Sequence, residues 1–84
     1  MIVLFCDDQN SVHTFLEKSI NWKIFNVDKI RHAHNGEHCL ELLKTERPDL
    51  LLLDIRMHKM TGIDILKEMS LLKLNTPTII LSAY

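Results

Sequence analysis

Three aspartates stand where apolar runs stop. MIVLFCDD ends its first run on Asp7 and Asp8, and RPDLLLLD ends a second on Asp54. A surface loop needs no such greasy approach, and a buried core does not want the charge. Taken singly, an aspartate after an apolar run is most often a turn or helix cap. Taken together, three carboxylates brought to one place repel one another, and in a partly buried site their pKa values are driven up. A divalent cation relieves that repulsion. A small all-oxygen site suits Mg²⁺, which keeps waters and bridges to phosphate oxygens. Such an ion neutralises charge developing on a phosphoryl group as it moves onto a carboxylate oxygen, chemistry that is mostly positioning and electrostatics. Cap, metal ligand and chemical acceptor are the roles open to Asp54.

The elements that must position these groups follow from the hydrophobic pattern. Residues 2–6 and 50–53 are continuous apolar runs, and Pro77 introduces a third at residues 78–82. Runs apolar on both sides belong in the middle of a parallel sheet covered by helices. Residues 27–33 alternate more and are more polar, as suits an outer strand. Between the strands lie three helical patterns. The first covers residues 10–20, capped by Asn10 or Ser11, with Val12, Phe15, Leu16 and Ile20 inward. The second is capped by Asn35, turns Cys39, Leu40 and Leu43 inward, and ends before Pro48. The third opens at Thr61 or Gly62 and carries Ile63, Leu66, Met69 and Leu72 on one stripe. The order β-α-β-α-β-α-β predicts an α/β, doubly wound parallel sheet of flavodoxin-like type with strand order 2-1-3-4. Its switch point falls between the first and third strands, and Asp7, Asp8 and Asp54 all stand at the carboxyl ends there.

Composition narrows the function. Eighty-four residues make one domain, spanning 1–84, that buries about 60–65% of its unfolded surface. The content, 46% hydrophobic and 25% charged, is that of a globular chain. A net charge of −1 advertises neither a nucleic-acid nor a membrane surface, and no apolar run is long enough to span a bilayer. The start is too short and too acidic for a signal peptide. Cys6 and Cys39 are not spaced as CxxC and read as reduced, core-facing thiols, so a cytoplasmic location is expected.

With these residues in place, the sequence resembles the receiver domain of two-component response regulators, the CheY-like family. VLFCDDQ, HNGEHCLELL, RPDLLLLDIRMHKMTGIDILKEM and TPTIILSAY match in order and spacing over nearly the whole chain. INW at residues 20–22, with DIRM and LSAY, is similar to receivers that precede AraC-type DNA-binding domains. The resemblance implies that Asp54 is a phosphoacceptor for a sensor histidine kinase. It implies that Asp7 and Asp8 hold Mg²⁺ with Asp54 and the backbone carbonyl of Arg56. Ser82 is implied as the hydroxyl that turns toward the phosphate, and Gly62 as the residue of the tight loop after the acceptor strand. The implied role is a non-enzymatic signalling module of a transcriptional regulator, with DNA contacted only through a separate output domain.

Two departures bear on this. Position 58, usually proline in the family, is His58, so the loop loses a fixed φ and gains an N–H and a titratable ring. The family also continues after the fourth strand with helix, strand and helix, whereas this sequence stops at Tyr84. The lysine the family carries on its fifth strand has no counterpart: Lys59 falls in the loop and Lys73 at the end of the third helix. Without that cation, phosphotransfer is expected to slow and the switch readout to be impaired. The fourth strand becomes an apolar edge, and Phe15 or Leu16 faces water, so the chain is expected to self-associate. The competing reading is a phosphorylation-independent interaction or dimerisation module with a vestigial acidic site. A small metal-dependent phosphohydrolase fits less well, since Asp7 and Asp8 are adjacent rather than two residues apart. His32, His34 and His38 lack the companion ligands of a zinc site and read as surface or half-buried rings.

Overall fold

The computed structural model describes residues 1–81. Along them run β1 (Ile2–Cys6), α1 (Asn10–Ser19), a short 3₁₀ turn (Trp22–Phe25), β2 (Lys29–Ala33), α2 (Gly36–Thr45), β3 (Leu50–Leu53), α3 (Gly62–Leu71) and β4 (Thr78–Ile80). The strands pair in parallel in the order β2-β1-β3-β4, as the apolar runs predict. Leu4 sits between Arg31 and Leu51, and Phe5 between His32 and Leu52.

Side-chain alternation along these strands builds two unlike cores. On one face Leu4, Cys6, Ala33, Leu51 and Leu53 pack against Cys39 and Leu43 of α2 and Ile65 and Met69 of α3. On the other, Val3, Phe5 and Leu52 meet Leu16 of α1, Trp22 and Val27. Both cysteines are buried and form no disulfide, and the neighbouring Cys39 thiol, with burial, pushes the Cys6 thiol far above its ordinary value.

The helices exist where the periodicity puts them, with Phe15 of α1 facing water as expected, but α3 is rotated about its axis. In α3 the buried residues are Gly62, Ile65 and Met69, while Ile63 and Leu72 of the expected stripe are exposed. The segment is apolar enough to offer two overlapping stripes, and its N-terminus chooses between them. Thr61 accepts from the Asp64 N–H and the Asp64 carboxylate accepts from the Thr61 N–H, a capping box that fixes the first turn. In α1 the buried residue is His13, and Phe15 is 67% exposed. Its N-cap is Gln9 rather than Asn10 or Ser11, without a side-chain cap; instead Asp7 Oδ1 accepts from the Gln9 N–H at 2.9 Å. Asn35 caps α2 as expected, accepting from the His38 N–H at 2.8 Å.

Candidate functional site

The backbone ladder carries two carboxylates past the ends of their strands. The Asp7 N–H donates to Ala33 O (3.1 Å), extending β1 against β2, and the Asp54 N–H donates to Cys6 O (2.9 Å), extending β3 against β1. Both residues therefore stand at the carboxyl ends of neighbouring parallel strands, at the point where the strand order reverses. One oxygen from each of Asp7, Asp8 and Asp54 lies within 4.8 Å of the others. The three aspartates nominated from sequence are thus brought to one crevice.

Each carboxylate has a different environment. Asp7 is 7% exposed, and burial pushes its carboxyl above the usual range against the lowering effect of the Gln9 N–H; the charges of Asp54 and Asp8 push the same way as burial. Asp8 moves oppositely, because the His58 side chain holds its carboxyl below that range. The His58 backbone N–H (3.1 Å) and ring Nδ1 (2.8 Å) both reach Asp8 Oδ2. Asp54 Oδ1 accepts from the Arg56 N–H at 3.1 Å, which orients the carboxylate through the residue whose carbonyl the resemblance implicates. Ser82 lies outside the described residues.

Gly62 packs behind the end of β3 that carries Asp54. Its N–H donates to Ile55 O at 2.9 Å. A Cβ there would stand 2.6 Å from Asp54 O and 2.7 Å from Ile55 Cα, both backbone atoms that cannot yield. The glycine is required by close approach, not by a left-handed backbone. The donor set fits a small hard cation: three carboxylates, crowded enough to raise one of them, with no sulfur ligand among the group.

A second polar cluster was not read from the sequence. His13 Nε2 lies 2.8 Å from Asp7 O and His13 Nδ1 lies 2.7 Å from His32 Nδ1; His32 Nε2 lies 3.0 Å from Glu17 Oε1. A carbonyl and a carboxylate only accept, so His13 Nε2 and His32 Nε2 both carry hydrogen, and the two Nδ1 atoms share one hydrogen between them. His34 stacks on His13 with ring centroids 4.2 Å apart, and its pKa is lowered by burial and by the neighbouring histidines. His13 occupies the position between Val12 and Leu16 on the apolar stripe of α1, the one signal that could have nominated it.

Lys59 and Lys73, the lysines weighed from the sequence, each line a cleft. Lys73 lines a cleft with Arg47, Pro48 and Pro77, before the starts of β3 and β4, at the opposite end of the sheet. Lys59 lines a groove of about 180 Å³ with Asn35, Gly36, Glu37, His58 and Met60. No helix among the described residues is long and apolar enough to cross a membrane.

Compared with known proteins, residues 3–84 match the response regulator receiver domain. The transcriptional regulatory protein HptR of Staphylococcus aureus (strain N315) is 35% identical over 82 residues, covering 98% of this chain and 32% of that protein. The chain thus spans about a third of the length of the curated relatives it matches. A two-component transcriptional regulator, AraC, from Clostridium phytofermentans superimposes with a TM-score of 0.89 at 30% identity, over 100% of this chain and 68% of that one. The receiver domain of AraT, a response regulator of Geobacillus stearothermophilus, gives 0.85 at 31% identity, over 96% and 63% respectively.

Proposed function

Because the chain belongs to the response regulator receiver family, we propose that it accepts a phosphoryl group on Asp54 from a sensor histidine kinase in the cytoplasm. The observation that supports this most is the convergence of the Asp7, Asp8 and Asp54 oxygens within 4.8 Å of one another. An Asp54 carboxylate oxygen forms a bond to phosphorus as the phosphorus–nitrogen bond of a phosphohistidine breaks. The departing imidazole keeps that electron pair and takes up a proton. The Arg56 N–H holds the other acceptor oxygen in place, and Gly62 lets the following loop close behind Asp54. Asp7 and Asp8, with Asp54 and the Arg56 carbonyl, would hold Mg²⁺. When bound, that ion supplies positive charge against the phosphoryl oxygens. Ser82 is assigned the phosphate-facing hydroxyl by resemblance, and DNA contact belongs to an output domain of the whole regulator.

Incubation with Mg²⁺ and a small-molecule phosphodonor tests this reading by intact mass. A gain of about 80 Da, one phosphoryl group, is expected, absent in Asp54→Asn. A folded protein that never labels would sink the phosphoacceptor reading and favour a phosphorylation-independent module. One observation favours that second role alongside the first. Phe15, Ile79 and Leu81 are exposed, and the edge strand β4 is apolar. Self-association through that edge is expected at micromolar concentration, and a stable monomer by size-exclusion chromatography with light scattering would refute it.

A further inference from the structure

The loop after Asp54 is tied to the site by one residue. His58 places two donors, its backbone N–H and its ring Nδ1, on the same oxygen of Asp8. A carboxylate oxygen has two lone pairs, so this contact fills Oδ2. Asp8 belongs to the trio of carboxylates that would hold the cation. The ring is otherwise 96% exposed, so the contact to Asp8 is what positions it. The next residue, Lys59, sits in the left-handed region at φ 65°, a conformation uncommon for a residue with a Cβ. The loop is thus drawn toward Asp8 at a local backbone cost. A proline at position 58 would offer neither donor.

We propose that His58 is a latch that competes with the divalent cation for Asp8, so that cation binding and release of the loop between Asp54 and α3 are one event. The inference rests on the cation site proposed above and assigns this chain a residue that lowers the site's affinity. Two donors on a charged acceptor oppose a cation on that oxygen, and losing them favours metal binding by several-fold. The latch also gives the loop two arrangements, docked on Asp8 without the cation and undocked with it.

Calorimetric titration of the folded protein with Mg²⁺ tests this, using His58→Ala, His58→Pro and a Lys59→Gln control that removes a neighbouring charge. His58→Ala is expected to bind about fivefold tighter and His58→Pro at least as tightly, with Lys59→Gln within about twofold of the parent. In the parent protein, Mg²⁺ should speed hydrogen exchange at the His58 amide. Equal affinities in all four proteins, or an amide equally protected with and without Mg²⁺, overturn the latch while leaving the cation site intact. Weaker binding by both His58 variants overturns it in another way, making the ring a ligand. Absence of Mg²⁺ binding in every protein overturns the cation site and the latch together. Should His58→Pro not fold, the alanine variant and the amide readout still decide.

Discussion

The two faces of the sheet are built from the same four strands and differ in almost every other respect. Toward α2 and α3 the strands present Leu4, Cys6, Ala33, Leu51 and Leu53, and the helices answer with Cys39, Leu43, Ile65 and Met69, all buried and apolar. Toward α1 they present Phe5 and Leu52, but also His32, and α1 answers with His13 and a half-buried Leu16. The dry face anchors the acidic site through Cys6 and Leu53, each directly before an aspartate. The wet face reaches the same site by hydrogen bonds, ending at the Asp7 carbonyl. Packing resists change in volume, whereas a hydrogen-bonded chain resists change in donor and acceptor pattern. The site is held by both.

The sharpest way to break this contrast is by truncation. Leu51→Ala on the dry face is expected to cost about 3–4 kcal/mol in urea unfolding, because α2, α3 and the neighbouring strands cannot all collapse into the void. Ile30→Ala on the partly solvated face should cost about 1 kcal/mol, and similar losses for the two would erase the distinction. His13→Leu comes next, at about 1–2 kcal/mol. It adds apolar volume but strips the Asp7 carbonyl of its donor and His32 Nδ1 of its partner. A gain in stability would mean that the wet face is merely badly packed.

Smaller effects run the other way. Burial raises the Asp7 carboxyl, so the folded protein holds that proton more tightly than the unfolded chain does. The resulting cost is present above the raised folded value and is relieved as pH falls through it. Asp8 is lowered by His58, so its contribution is present above the ordinary carboxylate range and is lost only as pH falls through its depressed value. Asp7→Asn should therefore raise metal-free stability by about 1 kcal/mol at neutral pH, roughly 5 °C in Tm, and abolish the gain on mild acidification. Unchanged melting across that pH range would show that Asp7 carries no such cost. Least of all, Lys73→Gly should add about 0.5 kcal/mol by relieving a left-handed residue after α3, read as a small rise in the urea midpoint.

What was legible in the sequence was whatever depends on neighbours along the chain. The apolar runs before Asp7 and Asp54 set the strands, and the strands set the crevice. Asn35 and Pro48 bounded α2 because capping and the missing N–H of proline are local effects. What escaped depended on contacts between distant segments. The rotation of α3 follows from the capping box and from the contact of Gly62 with Asp54, where two apolar stripes were otherwise equivalent. The burial of His13 follows from partners at positions 7 and 32, which no helical period reveals. The grip of His58 on Asp8 spans fifty residues; the sequence showed only that a donor had replaced a proline.

The extension of the ladder past β1 and β3 has a consequence for how such a chain drifts and how it can be remade. Asp7 and Asp54 are set by main-chain bonds to Ala33 and Cys6, in which no side chain takes part. The spacing between these two groups is therefore inherited from the sheet, not from the loops that surround them. Residues 58–60, beyond Ile55, Arg56 and the buried Met57, can be exchanged to alter what surrounds Asp8, while Asp7 and Asp54 keep their address.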